Sequence, residues 1–123
     1  KEVIFFAGCD EQLLCALVLG NVFSGGIGTT YNIIPAHFAR ICALAEAGHF
    51  DEAAKIQDEA NRVVALMIES ENWSYRKAFM RYIGLDCGAC RYPYAPLSEV
   101  EYETFARKIA EQGIVQAECG SSR

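Results

Sequence analysis

Apolar and helical patterns alternate along the first part of the chain. Residues 3–7 form a continuous run rich in β-branched and aromatic side chains, which is typical of a strand buried on both faces. Residues 11–19 carry leucines at helical spacing and are followed by a glycine, as at many helix ends. A second short apolar run, 22–27, leads through a glycine-rich stretch to Pro35, a residue suited to the first turn of a helix. The pattern predicts the order β-α-β-α.

After Pro35 the sequence predicts four helices, each with apolar residues at a spacing of about 3.6 positions. The stripe residues are Phe38, Ile41, Cys42 and Ala45 in the first, Ile56, Ala60, Val63 and Met67 in the second, and Tyr102, Phe105, Ala106 and Ile109 in the last, with a shorter helix over 73–83 between them. Ser98 and Glu101 form an S-x-x-E capping box before the last helix. We expect Gly113 to end that helix and the polar tail to Arg123 to be loose.

Two parallel strands alone leave their edges and faces open, because parallel sheets occur almost only inside larger α/β sheets or barrels. The chain also opens directly on an apolar run, with neither an initiating Met nor the segments of a signal peptide. We therefore expect the C-terminal part of an α/β protein, with further strands upstream.

Composition narrows the function classes. The chain has 123 residues and a mass of 13.6 kDa, and 52% hydrophobic with 22% charged residues is a globular composition. A net charge of -5 and a pI of 5.0 argue against nucleic acid as a partner. The longest apolar run, 13–19, is far short of the roughly 20 residues that span a bilayer, so no membrane partner is expected.

The cysteines predict free thiols in a cytoplasmic protein rather than a disulfide framework or a metal site. Two of them lie in apolar helical patterns, where a thiol acts as a small hydrophobe. The C-x-x-C pair lacks the two further ligands that zinc needs, and no second pair or histidine pair supplies them. We expect no metal and no cofactor. The residues concerned are Cys9, Cys15, Cys42, Cys87, Cys90 and Cys119, with Cys15 and Cys42 in the helices, the pair at Cys87 and Cys90, and isolated His37 and His49.

The chemistry-bearing residues follow the two predicted strands, where α/β proteins place their sites. Asp10 and Glu11 offer adjacent carboxylates after the first strand. The stretch 26–32 offers closely approachable backbone and two hydroxyls, which suit a polyhydroxylated substrate. The alternatives are an ordinary acidic helix start and a tight strand-to-helix connection. A phosphate site is a weaker hypothesis, because no Lys or Arg lies between Lys1 and Arg40.

Three ordered motifs resemble the C-terminal part of the N-acetylneuraminate lyase family, within the pyruvate-dependent aldolases that include dihydrodipicolinate synthase. They are Gly8-Cys9-Asp10-Glu11-Gln12-Leu13-Leu14, then Gly26-Ile27-Gly28-Thr29-Thr30-Tyr31-Asn32, then Cys90-Arg91-Tyr92-Pro93 with Pro96-Leu97-Ser98. The resemblance implies an α/β fold in which 1–48 are the last two β/α units of a (β/α)8 TIM barrel and 49–123 a C-terminal helical extension. It also implies a homotetramer.

The same resemblance implies a set of substrate-binding residues. The carboxylate pair would contact the hydroxyls of the sugar's glycerol tail. Thr29 stands where the lyases commonly have serine, so the hydroxyl is kept and a methyl group is added. Tyr94 falls where a related lyase has an aromatic near the pocket mouth, and a packed loop tyrosine is an equally good interpretation. The implied substrate-binding residues are Gly8, Asp10, Glu11, Gly28, Thr29 and Tyr94.

The activity implied is class I aldol cleavage of N-acetylneuraminate to N-acetylmannosamine and pyruvate, through a Schiff base on a lysine. In the family that lysine lies upstream of Lys1, in the remainder of the barrel. Lys55, Lys77 and Lys108 fall on predicted helix surfaces, so we assign no catalytic residue here. The alternatives are a related 2-keto-acid sugar aldolase, a dihydrodipicolinate synthase-like enzyme, and a catalytically inert helical module.

Overall fold

The computed structural model describes residues 3–20, 22–68 and 72–115. The fold is mixed α/β and mostly helical, and it forms two compact units, Lys1–Val64 and Ala65–Arg123. The elements are β1 (Phe5–Ala7), a 3-10 turn (Asp10–Gln12), α1 (Leu13–Val18), β2 (Phe23–Gly26), a second 3-10 turn (Thr30–Asn32), α2 (Pro35–Glu46), α3 (Phe50–Ile68), α4 (Ser74–Tyr82) and α5 (Glu99–Gln112). This order confirms the β-α-β-α start and the four helices from Pro35 onward, the first of which is α2.

The two strands run parallel, as predicted, with Phe5 opposite Phe23 and Ala7 opposite Gly26. The faces of β1 are largely open in this chain, as expected for two parallel strands without neighbours. Val3 is 70% and Phe5 55% exposed, and Ala7 is the one strand residue that is buried. The reason is that, among the described residues, β2 alone pairs with β1, so nothing covers the outer edge and faces that a parallel sheet normally buries.

The core of the first unit lies between its helices and β2. Leu13 of α1 and Ile41 of α2 are fully buried, and Pro35 occupies the first turn of α2 as predicted. The thiols fill the core less than expected: Cys42 is half-buried, and Cys15 is exposed, because it lies on the outer side of the short helix α1. The core side chains of this unit are Ala7, Leu13, Ala16, Ile33, Ile34, Phe38, Ile41, Ala53, Ala60, Val63 and Val64.

The second unit is built on aromatic packing between α4 and α5. Phe79 meets the Phe105 ring edge-on at a centroid distance of 4.9 Å, and Tyr75 does so at the same distance. The predicted capping box is present: the Ser98 side chain accepts from the backbone of Glu101, whose side chain accepts from the Ser98 backbone. The tail at 116–123, with Cys119, lies outside the described residues.

The predicted domain boundary between residues 48 and 49 stays a prediction. The division into compact units falls later, inside the continuous helix α3. None of the described helices is both long enough and apolar enough to cross a membrane.

Candidate functional site

The carboxyl ends of β1 and β2 lie side by side. The N–H of Ile27 donates to the carbonyl of Ala7 at 2.9 Å, which extends the strand pairing to the end of both strands. The segments 8–11 and 28–30 therefore leave the sheet at the same edge, as parallel topology requires. This edge carries five of the six residues predicted to bind substrate.

Asp10 joins the two strand ends. Its carboxylate Oδ2 accepts a hydrogen bond from the backbone N–H of Thr30 at 2.9 Å and another from the Thr30 hydroxyl. Asp10 is 8% exposed, and Thr30 is fully buried. A buried carboxylate needs such donors, because an unpaired charge in the interior is costly. Asp10 is thus more than an acidic helix start, since it fixes the loop after β2 against the loop after β1.

Two glycines are required by the side chains that pack against them. A Cβ on Gly28 would lie 1.5 Å from Oδ1 of Asp10, and a Cβ on Gly26 would lie 2.2 Å from the Tyr31 hydroxyl. At those distances the side chain of Asp10 or of Tyr31 would have to move away. The sequence suggested glycine for a tight connection, whereas the structure gives the reason as the close approach of Asp10 and Tyr31.

Glu11 and Thr29 differ from Asp10 in being unengaged. Glu11 is half-buried and Thr29 is exposed. Within the described segments no hydrogen bond or ion pair engages the Glu11 carboxylate or the Thr29 hydroxyl, while the Thr29 carbonyl accepts from the side chain of Asn32 at 3.2 Å. Gly8 is exposed, and a Cβ placed on it would meet nothing within 4 Å. These three residues form the open part of the edge.

Tyr31 is a feature of the site that the sequence did not single out. Its ring packs on Phe38 at a centroid distance of 4.0 Å, and its hydroxyl is buried without a hydrogen-bond partner among the described residues. Burial, the negative charge of Asp10 and the nearby thiol of Cys42 raise the pKa of Tyr31 to about 12. The phenol is therefore protonated at neutral pH.

Gln57 brings α3 to the same edge and was also missed. Its side-chain amide Nε2 donates to the carbonyl of Asp10 at 3.1 Å, and its Oε1 accepts from the backbone N–H of Leu14 at 3.1 Å. Gln57 is 6% exposed. A glutamine buried inside an otherwise apolar helical stripe is the signal that could have identified it, because buried polar side chains require partners.

Tyr94 lies in the second unit. It is 40% exposed, and its ring centroid lies 6.1 Å from that of Trp73. The next residue, Ala95, is held through its carbonyl, which accepts from the Ser74 hydroxyl at 2.6 Å and from the Asn72 side chain at 3.0 Å. The loop that carries Tyr94 is thus anchored to the start of α4. Its predicted role as a substrate contact stays a prediction.

In the described part of the chain, no three His, Cys, Asp or Glu side chains cluster. Each histidine faces a glutamate instead: His37 lies 3.3 Å from Glu59, and His49 lies 3.0 Å from Glu52. The five described cysteines are free thiols.

The chain matches a protein-family model described as the Dihydrodipicolinate synthetase family over residues 1–112. It is 37% identical over 108 residues to the N-acetylneuraminate lyase of Fusobacterium nucleatum, a match that covers 88% of this chain and 36% of that protein. The N-acetylneuraminate lyase of Rhizobium meliloti is 31% identical over 109 residues, covering 89% of this chain and 36% of that protein. The chain therefore spans about a third of the length of these relatives.

A solved structure of an N-acetylneuraminate lyase is also similar to this chain. The crystal structure of the Fusobacterium nucleatum N-acetylneuraminate lyase complexed with pyruvate superposes with a TM-score of 0.76 at 36% identity. The match covers 89% of this chain and 36% of that one.

Proposed function

The chain belongs to the dihydrodipicolinate synthetase family, and from that premise we propose that it is the C-terminal part of an N-acetylneuraminate lyase. In this proposal the complete protein cleaves N-acetylneuraminate into N-acetylmannosamine and pyruvate. Two relatives, 37% and 31% identical to this chain, carry the name N-acetylneuraminate lyase. The described chain supplies groups that recognise the sugar.

The observation that carries the proposal is the shared edge of the two strand ends. Asp10 joins its loop to Thr30, while the Glu11 carboxylate and the Thr29 hydroxyl have no partner among the described residues. Carboxylates accept hydrogen bonds from sugar hydroxyls, and a threonine hydroxyl both donates and accepts. With Gly8 open to close approach of a ligand and Gly28 packed against Asp10, the edge suits the polyhydroxylated tail of a sugar acid.

The proposal extends to the fold of the whole protein. We assign β1 and β2 to the seventh and eighth strands of a (β/α)8 barrel, residues 1–48 to its last two units, and 49–123 to a helical extension. The exposed faces of β1 support this assignment, because neighbouring strands of a barrel would cover them. The same proposal includes a homotetramer in the cytoplasm, with the remainder of the barrel completing the site.

In this proposal the chain binds and orients the sugar, while the bond is broken elsewhere in the barrel. Schiff-base chemistry needs a lysine amine at the substrate carbonyl. Lys55 and Lys108 are exposed on α3 and α5, and the Lys77 amine donates to the carbonyl of Cys87 at 3.0 Å. We assign none of them to catalysis. The Asp10 carboxylate has lone pairs left on Oδ1, through which it takes part in binding.

The test is to incubate the complete protein with pyruvate, reduce with borohydride, and measure the intact mass. Gain of one reduced pyruvate, together with release of N-acetylmannosamine from N-acetylneuraminate, is the expected result. Gain of pyruvate with cleavage of other 2-keto-3-deoxy acids only would assign a related aldolase instead. A protein that gains nothing and cleaves nothing would overturn the proposal and favour an inert module.

A further inference from the structure

We propose that Gln57 is a positioning residue that fixes the turn carrying the two carboxylates of the sugar site. This inference rests on the proposed function, because it concerns how Asp10 and Glu11 are held for binding. Gln57 lies 47 positions from Asp10 along the chain and belongs to α3, outside the three motifs that resemble the lyases.

Gln57 satisfies backbone groups on both sides of Glu11. Its Nε2 donates to the Asp10 carbonyl, and its Oε1 accepts from the Leu14 N–H, each at 3.1 Å. The Leu14 N–H is one of the first in α1, where no intrahelical carbonyl is available. The residue before α1, Gln12, makes no side-chain cap, so Gln57 caps this helix from a different element.

The Gln57 amide is itself held in one orientation. Its Nε2 donates a second hydrogen bond to Oδ1 of Asn61, one turn later on α3, at 2.9 Å. The side chain is also nearly fully buried, and its hydrogen bond to the Asp10 carbonyl is shielded from water. A buried amide whose hydrogen bonds are all directional holds the backbone groups it contacts rigidly.

The turn that carries Asp10 and Glu11 is thus held by two sets of contacts. Thr30 holds the side chain of Asp10, and Gln57 holds its backbone. Glu11 has no tether of its own among the described residues, so its position depends on the backbone on either side of it. Loss of the Gln57 contacts would free the turn to tilt and would move the Glu11 carboxylate relative to the sugar. Small displacements of binding groups strongly reduce the catalytic efficiency of an enzyme.

The experiment compares Gln57→Leu with Val63→Ala in the complete protein. Leucine is close to glutamine in size and makes no hydrogen bond, while Val63 is fully buried on the same helix and takes no part in the turn. We expect Gln57→Leu to raise KM for N-acetylneuraminate between about tenfold and 100-fold. Pyruvate trapping by borohydride, which does not use the sugar site, should be unchanged. Val63→Ala should lower the thermal midpoint and leave KM unchanged.

Three results separate the outcomes. Equal effects of the two variants on KM, or no effect of Gln57→Leu, would overturn the positioning role. If Gln57→Leu does not fold, Gln57→Glu replaces it: this variant keeps the acceptor for Leu14 and loses the donor to Asp10, and an unchanged KM would again overturn the role. A wild-type protein that neither traps pyruvate nor cleaves the sugar would refute the proposed function instead.

Discussion

The strand ends of the first unit and the helix pair of the second use polar contacts in opposite ways. At the strand ends the contacts join residues 20, 43 and 47 positions apart, and they are wholly or partly buried. In the helix pair the polar contacts are exposed. The capping box joins Ser98 to Glu101. The Arg81 guanidinium donates two hydrogen bonds to the Glu99 carboxylate, both at 3.0 Å.

The difference shows which part of the molecule is held in one geometry by its polar contacts. A buried polar group that loses its partner incurs the full cost of desolvation, whereas an exposed polar group forms hydrogen bonds with water instead. The polar contacts at the strand ends therefore hold fixed positions, as the proposed binding edge would require. The contacts of the helix pair help to start and join helices that aromatic packing already stabilises.

The largest expected effect is that of Gly28→Ala. The new methyl group would overlap Oδ1 of Asp10 and force it away from Thr30. Overpacking of this kind costs about 1–3 kcal/mol, and a broken buried contact adds to it. Thermal unfolding of the complete protein should show a strongly lowered midpoint.

Gly8→Ala is the matched control for stability, because its methyl group meets nothing within 4 Å. The two alanine variants should differ clearly in thermal midpoint. Equal midpoints would contradict the close packing of Asp10 on Gly28.

The next effect in size separates the two adjacent threonines. Thr30→Val keeps the branched shape and removes the hydroxyl that donates to buried Asp10, so we expect a loss of about 1–3 kcal/mol in unfolding free energy. Thr29→Val removes an exposed hydroxyl and should change it by less than about 0.5 kcal/mol. Denaturant titration of both variants measures the difference. A larger loss for Thr29→Val would invert the roles assigned to the two residues.

The smallest effect is expected at the exposed pair of the helix unit. Hydrogen bonding to Arg81, and then its positive charge, lower the pKa of Glu99 from its ordinary value of 4.5. A lowered pKa means that the contribution to stability is complete above pH 4.5 and is lost as pH falls through the folded-state pKa. Glu99→Gln should therefore lower the thermal midpoint slightly at pH 7, and less in high salt.

The pH series gives the check on that pair. The midpoints of Glu99→Gln and of the wild-type protein should converge as the pH falls below 4.5. A difference between them that grows toward acid pH would contradict the assigned ion pair.

The local features could be predicted from the sequence. The capping box, Pro35 at the start of α2 and the glycine after α5 depend on residues within one or two turns, so their spacing is enough to identify them. The parallel pairing of the two strands also followed, because a helix connects them.

The contacts of the proposed binding edge could not be predicted in this way. The tie between Asp10 and Thr30 and the reach of Gln57 depend on how distant elements pack, which no local spacing encodes. The sequence motif also presented Asp10 and Glu11 as an equivalent pair. In the structure Asp10 accepts from two buried donors, whereas Glu11 has no partner among the described residues. The exposure of β1, in contrast, was expected, because the described residues do not include the neighbouring strands that its apolar pattern requires.

The most direct test of a sugar-binding edge is the kinetics of Glu11→Gln in the complete protein, with N-acetylneuraminate as substrate. Glu103→Gln, on the exposed side of α5, is the control for loss of a carboxylate. We expect Glu11→Gln to raise KM at least about tenfold, since a hydrogen bond to a charged group contributes about 1.5–3 kcal/mol. Pyruvate trapping should be unchanged in both variants. Unchanged kcat and KM for Glu11→Gln would contradict the assignment of this edge to the sugar.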